Sequence, residues 1–316
     1  MTNRLELSWK LDGVVDEQLY YCSETPINTE SPPSPKAFID SEARSYIDDD
    51  VEVDKTYHVC IGAKKGSILK ISSQVVIDTI ASDPYWSYVS SMLLFQGANN
   101  STAFIDEKGV EWARRGDPRI STTQHIIGGS SGLFSDNNYI STNTISPFEF
   151  SASEDFTVEA WVYIPSSATF FQGEIPIICA GVQQTTSDGG GWNLCIFDDP
   201  NAVLRLERDN INGTVHEAKF YAGVPVPRDT WIHVEFGRIS GTTYGFWQGE
   251  LKGTTTSQNG ISFNIPNVKS VSIGSGNNVS TQNYWHFDGF VNVVRVTKGI
   301  CRHTSSFTPP TKYPTM

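Results

Sequence analysis

Apolar residues alternate with polar residues in short runs along the chain, which is the spacing of half-buried β-strands. Near the start, Leu5, Leu7, Trp9 and Leu11 occupy every second position. Further short apolar runs follow, and clusters of Gly, Pro, Asn and Ser separate them. This texture is typical of strands joined by tight turns. The pattern therefore predicts an all-β chain.

The pattern changes near residue 80, and 316 residues are too many for one ordinary small domain. Pro84 restricts the residue before it to extended geometry, which suits a short, stiff linker. A new series of strands begins with the run from Met92 to Phe95. The sequence therefore predicts a first domain at residues 1–80, a linker at 81–84 and a larger domain at 85–316.

Charge and cysteine content exclude several classes of function. The formal net charge is −12, which repels phosphate backbones, so general nucleic-acid binding is disfavoured. No apolar segment resembles a signal peptide or is long enough to span a membrane. The five cysteines lack metal-ligand spacing, which favours free thiols and synthesis in the cytoplasm.

The first domain resembles a fibronectin type III domain. The residues that carry this resemblance are Trp9 on an early strand, the alternating Tyr57, Val59 and Ile61, and a closing strand that ends at Ile77. In that family the tyrosine packs at a corner and its hydroxyl contacts upstream backbone. The resemblance thus implies a small β-sandwich in which Tyr57 has a structural role.

The larger domain carries an ordered series of motifs at residues 83–95, 105–109, 128–140, 155–162, 230–234 and 286–296. This series resembles a laminin-G-like domain of the concanavalin A-like lectin superfamily, in the variant appended to phage tail proteins. The implied fold is a jelly-roll β-sandwich of two antiparallel sheets. Asn292 and Gln248 stand where that family usually has Asp, and the loss of these carboxylates weakens the case for a bound cation.

The recognised catalytic patterns are missing. Glycan hydrolysis on this fold needs paired carboxylates in a Glu-x-Asp-x-Glu strand, and the pair Glu207 and Asp209 lacks the third member. There is no Gly-x-Ser-x-Gly elbow, His-Glu-x-x-His motif or phosphate-binding loop. His233 lies on a predicted strand and is interpreted as a packing residue. The sequence predicts a protein that is not an enzyme.

A calcium site is one of two interpretations of Asp136, Asn137 and Asn138. These residues precede a strand and offer the oxygen ligands that Ca²⁺ prefers. Asp and Asn also dominate turns for conformational reasons alone. No other cofactor is indicated.

Sugar binding would use an exposed aromatic ring for stacking, with nearby amides for the hydroxyl groups. Trp192 follows three glycines, Trp247 precedes a predicted turn, and an amide-rich loop precedes Trp285. For Trp192 and Trp285, ligand contact and packing between subunits both stay open. The candidate ligand-binding residues are Trp192, Asn193, Trp247, Asn283, Tyr284 and Trp285.

Together these observations predict a non-enzymatic phage virion protein. Its first interpretation is a tail fibre or receptor-binding component that recognises a host-surface glycan or neighbouring virion proteins. The alternative is a structural decoration or adaptor protein of the capsid or tail that acts only through protein–protein contacts. Shallow glycan sites bind weakly, so several copies in a homo-oligomer would supply avidity. The expected partners are virion proteins and host polysaccharide, and the expected location is the virion, assembled in the host cytoplasm.

Overall fold

A computed structural model describes residues 4–79, 82–135, 138–182, 190–209, 215–265, 270–276 and 285–314. The chain divides into two compact units, one of Met1–Asp83 with Lys312–Met316 and the other of Pro84–Thr311. Both are built from antiparallel strands, which confirms the predicted all-β class. Among the described residues, no helix combines the length and apolar character needed to cross a membrane.

The first unit contains strands β1 to β7. Their bounds are β1 Leu5–Ser8, β2 Glu17–Ser23, β3 Ala37–Ile39, β4 Ser45–Asp48, β5 Thr56–Lys65, β6 Ile68–Ile71 and β7 Val75–Asp78. β1 pairs with β4, and a five-stranded sheet has the order β3-β2-β5-β6 with β7 also paired to β5.

Alternation along β2 and β5 produces the core of the first unit. Tyr20 and Val59 are buried against Leu5 and Tyr57. The hydroxyl of Tyr57 accepts a hydrogen bond from the backbone N–H of Glu52, at 3.0 Å. Tyr57 therefore makes the upstream backbone contact that the sequence predicted, while the fibronectin type III family of this unit stays a prediction.

The second unit contains strands β8 to β22 and short 3-10 turns. The strand bounds are β8 Val89–Leu93, β9 Ala113–Arg115, β10 Arg119–Ser121, β11 Ser131–Phe134, β12 Tyr139–Thr142, β13 Phe156–Tyr163, β14 Glu174–Val182, β15 Gly190–Phe197, β16 Val203–Asp209, β17 Val215–Tyr221, β18 Trp231–Ile239, β19 Thr242–Trp247, β20 Glu250–Thr255, β21 Val271–Ile273 and β22 Gly289–Lys298.

These strands form two sheets that enclose one core. One sheet has seven strands in the order β17-β16-β15-β14-β21-β12-β9. The other has eight, in the order β10-β11-β22-β13-β18-β19-β20 with β8 paired to β22. Phe156 and Val158 of β13 and Leu194 and Leu206 of β15 and β16 belong to the same buried cluster. The predicted β-sandwich is thus confirmed for the second unit.

The segment that follows β22 packs on the outer face of the eight-stranded sheet. The rings of His303 and Phe307 are stacked with centroids 3.5 Å apart, and Phe307 contacts Phe246 of β19. Trp161 of β13 donates its indole N–H to the carbonyl of Pro310, at 3.1 Å. Gly249 permits this close approach because a Cβ there would lie 2.1 Å from the carbonyl oxygen of Phe307.

Charged side chains lie under this segment. Glu159 of β13 is fully buried and pairs with Arg295 of β22 and with His233 of β18, whose Nε2 lies 3.0 Å from it. Glu235 is also buried and contacts Nδ1 of His303 at 2.9 Å. Buried charges are tolerated when they are paired in this way. His233 is thus a buried member of this network, which agrees with its interpretation as a structural residue.

The amide of Asn292 makes hydrogen bonds that an Asp at this position could not all make. Its Oδ1 accepts hydrogen bonds from the backbone N–H groups of Ile126 and Ile127, at 2.7 and 2.8 Å. Its Nδ2 donates to the carbonyls of Leu94 and Ser130, at 3.1 and 3.0 Å. Since a carboxylate has no N–H to donate, only the amide can make both pairs of contacts. The residue anchors a loop without a cation.

Candidate ligand-binding face

The outer face of the seven-stranded sheet carries a continuous row of polar side chains. Strand register places direct cross-strand neighbours on the same face of a sheet. The row, read from β17 to β12, is Glu217, Glu207, Asn193, Cys179, Ser272 and Ser141. We call this row and the adjoining outward residues of β14 to β17 the polar face.

Local alternation in β15 and β16 separates this face from the core. In β15, Trp192 and Leu194 point into the core, so the intervening Asn193 points to the other side of the sheet. In β16, Leu204 and Leu206 are core residues, and the charged Arg205 and Glu207, which alternate with them, lie on the polar face. The face is thus built from the polar half of an alternating sequence.

Asn193 lies at the centre of the row and is 1% exposed. Neither its amide nitrogen nor its amide oxygen has a hydrogen-bond partner within the described structure. A buried amide that lacks partners costs about 1–3 kcal/mol. Asn193 therefore offers two N–H donors and a carbonyl acceptor that no group in the described part of the chain uses.

Arg205 is the charged centre of the polar face. Its guanidinium lies 2.8 Å from Glu174, 2.9 Å from Glu207 and 3.5 Å from Glu217. Its Nε donates to the sulfur of Cys195 at 3.3 Å. Burial raises the pKa of the Cys195 thiol well above its ordinary value, so this sulfur stays neutral at physiological pH.

Aromatic side chains lie at one end of the polar face. Tyr221 of β17 is 64% exposed. Register places it in one row with Val203, Phe197 and Glu174. The guanidinium of Arg205 stacks over the ring of Phe197, 4.2 Å from its centroid. Four residues of strand separate Phe197 from Asn193, which is roughly 13 Å. Tyr221 lies two strands further across the sheet, so the exposed ring and the buried amide of Asn193 are roughly 16 Å apart, at opposite ends of the polar face.

Comparison with protein families decides the identity of the second unit. Residues 134–300, more than half of the chain, match the family model described as the Concanavalin A-like lectin/glucanases superfamily. The chain belongs to this superfamily. The match lies within the region where the sequence motifs indicated a laminin-G-like domain.

Several solved structures are similar to part of this concanavalin A-like chain. The binding domain of botulinum neurotoxin serotype G is 16% identical, covers 68% of this chain and 48% of that chain, and has a TM-score of 0.49. Domain 4 of AbnA, a GH43 extracellular arabinanase from Geobacillus stearothermophilus, in complex with arabinotriose, is 14% identical, with coverages of 67% and 93% and a TM-score of 0.46. This chain spans about half the length of the first of these structures. No curated protein matches the sequence.

The sequence predicted that Trp192 presents its ring to a ligand, but the structure buries this ring. It is 1% exposed, lies in the core of the concanavalin A-like sandwich and donates its indole N–H to the carbonyl of Phe148, at 2.7 Å. Gly190 and Gly191 belong to β15, so they do not form a loop that displays the tryptophan. A Cβ at Gly191 would lie 2.0 Å from the carbonyl of Ala180, so glycine serves close strand packing here. The next residue in the sequence, Asn193, points outward instead.

Trp247 is likewise buried, at 4% exposure. It is the last residue of β19 and packs into the core. The turn that the sequence predicted follows it, because Gln248 and Gly249 both have positive φ and connect β19 to β20. Its ring therefore does not present a stacking surface to solvent.

Trp285 lies beside the polar face. Its carbonyl accepts the backbone N–H of Gly276, at 2.9 Å, and the carbonyl of Gly276 lies 3.2 Å from the sulfur of Cys179. Cys179 is the cross-strand neighbour of Asn193. The structure thus brings Asn193 and the base of the Trp285 loop together. Asn283 and Tyr284 lie outside the described residues, so their part in ligand binding stays a prediction.

The predicted calcium ligands are only partly described. Asp136 and Asn137 lie outside the described residues. Oδ1 of Asn138 accepts a hydrogen bond from the backbone N–H of Asp117, at 2.9 Å, which is a turn contact. The calcium site stays a prediction.

A different group of side chains has the composition of a metal site. Ligand atoms of Glu159, His233 and Glu235 lie within 4.8 Å of one another. Arg295 pairs with Glu159, and His303 pairs with Glu235. Both carboxyl groups thus already have partners within the chain, and the group is an internal network of paired side chains.

Sequence reasoning missed Arg205, Glu174, Phe197 and Tyr221. A signal for part of this set was present, because Arg205 and Glu207 alternate with Leu204 and Leu206. Glu207 was considered only as half of an incomplete catalytic pair. The approach of Glu174 to Arg205 depends on pairing across three strands, which local sequence does not reveal.

Proposed function

We propose that the second unit is a non-catalytic carbohydrate-binding domain and that the polar face is its binding site. One observation carries this proposal: Asn193 is buried at the centre of a polar row, and its amide makes no hydrogen bond within the described structure. Sugar hydroxyl groups both donate and accept, so they complement an amide on both its sides. Tyr221 supplies an exposed ring on which a sugar can stack.

The ion pairs of the face support binding without hydrolysis. Retaining and inverting glycosidases use two carboxyl groups, one of which must act as an acid. Glu174 and Glu207 are instead both paired with Arg205. A nearby guanidinium stabilises the ionised form of a carboxylate, which opposes a role as proton donor.

We place this domain in a phage virion, as a tail fibre or receptor-binding component that attaches to a glycan of the host surface. The support is the ordered series of sequence motifs that resembles the phage-associated laminin-G variant. The segment containing Phe307, Thr308, Pro309 and Pro310 belongs to that resemblance. A homo-oligomer would raise the apparent affinity of a shallow site through multivalency.

The test is saturable binding of the full chain to a glycan array. We expect the wild-type protein to bind a subset of glycans and Asn193→Ala to bind them about tenfold more weakly, because the central amide is lost. Asn28→Ala is the matched control, since Asn28 is an exposed asparagine of the first unit. Far-UV circular dichroism shows that the variants are folded. A wild-type protein that binds no glycan, or equal binding by Asn193→Ala, contradicts the proposal.

A second candidate function is that of a structural adaptor acting through protein contacts. The outer face of the five-stranded sheet in the first unit is apolar, with Leu19 and Ile71 next to the exposed Phe38 and Leu69. Exposed apolar patches often mark protein–protein interfaces. Tight binding to purified virion proteins without glycan binding, lost in Phe38→Ser, would favour this function.

A further inference from the structure

We infer that the polar face selects neutral or amine-bearing sugars and rejects sugars that carry carboxylate or sulfate groups. This inference rests on the proposed function and specifies its ligand class. The selectivity would follow from two properties of the polar face: its charged groups are paired with one another, and some of its hydrogen-bonding groups have no partner in the described structure.

The donors of Arg205 are used within the chain. Nε donates to Cys195, and the terminal nitrogens contact Glu174, Glu207 and Glu217. The flat side of the guanidinium covers the ring of Phe197. Recognition of an anionic sugar commonly uses the paired N–H groups of an arginine. Arg205 has no such pair to offer.

The other cations near the polar face do not supply the positive charge that an anionic sugar would need. Lys219 contacts Glu217 at 2.6 Å. Among the described residues around Asn193, the carboxylates of Glu174, Glu207 and Glu217 outnumber the cations Arg205 and Lys219 by three to two. Arg115 of β9 donates its Nε–H to Ser141 at the other end of the polar row, at 3.0 Å, which is three strand spacings from the strand of Asn193, roughly 14 Å. The region around Asn193 is thus net negative.

The groups that are still available favour hydroxyl or ammonium donors. Glu217 is partly exposed, and a carboxylate has several lone pairs, so its contacts with Arg205 and Lys219 leave acceptor capacity. Asn193 adds a carbonyl acceptor and an N–H₂ donor without partners in the described structure. A sugar hydroxyl, acetamido or amino group fits this set. A ligand carboxylate would face like charge, and the net charge of −12 on the whole chain adds to the repulsion.

The experiment is an array in which each sugar backbone is printed in a neutral, an amine-bearing and a carboxylate-bearing form. We expect the wild-type chain to bind neutral or amine forms at least about fivefold more tightly than the matched carboxylate form, which corresponds to one like-charge contact in water. Raising the salt concentration should narrow the difference, because salt screens the charge of the partly exposed Glu217.

Glu217→Gln is the informative variant, because Glu217 is partly exposed and its removal reduces the negative charge of the face. We expect this variant to discriminate less against carboxylate forms. Glu250→Gln is the control, since Glu250 is exposed and lies on the eight-stranded sheet. Equal or tighter binding of carboxylate forms by the wild type overturns the ligand class but leaves carbohydrate binding intact. Binding of no glycan in any form overturns both.

Discussion

Asn193 lies where its buried amide weakens the fold, which agrees with its proposed role in ligand binding. Its amide is 1% exposed and makes no hydrogen bond within the described structure. Removing such a group without changing the shape of the side chain removes a desolvation penalty of about 1–3 kcal/mol. Residues at binding sites are often suboptimal for stability in this way.

The prediction is that Asn193→Leu keeps or raises the free energy of unfolding of the ligand-free protein by up to about 2 kcal/mol, and abolishes glycan binding. Urea unfolding measures the first effect, and the glycan array measures the second. Leu194→Asn is the control, because it places an amide in the core and should destabilise the fold. Clear destabilisation by Asn193→Leu would mean that the amide has a structural role.

The sequence was least accurate in predicting the roles of individual residues. Trp192 and Asn193 are adjacent, and the sequence predicted that both bind ligand. A strand turns adjacent side chains to opposite faces, so only one of them can lie on the polar face. The preceding glycines suggested a loop, whereas they belong to β15. Without knowledge of where the strand begins, the direction of either side chain could not be assigned.

At the scale of elements, β13, β18 and β22 are joined by a buried charge network as well as by backbone pairing. Burial opposes ionisation of Glu159, but Arg295 and His233 outweigh it, so the pKa of Glu159 lies well below its ordinary 4.5. Burial raises the pKa of Glu235, and the hydrogen bond from His303 only partly offsets this effect. Adjacent strands thus hold carboxyl groups whose pKa values shift in opposite directions.

The pH dependence of folding follows from these shifts. When the pKa of a carboxyl group is lower in the folded state, the ionised group stabilises the fold above its ordinary pKa. This stabilisation is lost as the pH falls from the ordinary pKa towards the lower pKa of the folded state. The contribution of Glu235 has the opposite sign and decreases as the pH rises above its ordinary value. The prediction is that Glu159→Gln destabilises the protein more near neutral pH than at acidic pH.

Urea unfolding of wild type and Glu159→Gln between about pH 3 and pH 6 measures this difference, since this range spans the ordinary pKa of a glutamate carboxyl. Glu250→Gln, an exposed substitution, should give a small difference that is nearly constant with pH. A Glu159→Gln penalty that is the same at every pH would show that Arg295 does not hold the Glu159 carboxylate ionised.

Alternation predicted the strands of the second unit well, and the motif at 155–162 corresponds to β13. It did not predict that residues 301–311 cover the outer face of the eight-stranded sheet. This segment has no strand period, and its position depends on contacts of Phe307 with His233 and Phe246, which are distant in sequence. Trp161 of β13 is buried under this segment and lies outside the central core.

For the whole molecule, the important feature is that each unit has its own core. Val59 belongs to the core of the first unit, and Val158 belongs to the core of the second. Units with separate cores can unfold in separate transitions. The sequence indicated a division near residue 80, and the structure divides the chain between Asp83 and Pro84, with Lys312–Met316 joining the first unit.

The prediction is that calorimetry resolves two unfolding transitions. Val59→Ala and Val158→Ala each remove buried methyl groups and should destabilise their own unit by about 2 kcal/mol. The first should lower one transition by about 10 °C and the second should lower the other by about 5 °C, because the second unit is larger. One transition that both substitutions shift equally would show that the units unfold as one cooperative block.

The strict alternation of β15 and β16 has a consequence for how this protein can diversify. Asn193, Cys195 and Arg205 are each flanked along their strand by residues that belong to the interior. Substitutions at the outward positions can therefore change what is recognised while the hydrophobic interior keeps its shape. Such a surface can acquire new specificities through single amino-acid replacements, and a library randomised at Glu207, Asn193 and Tyr221 would be a suitable starting point for selecting them.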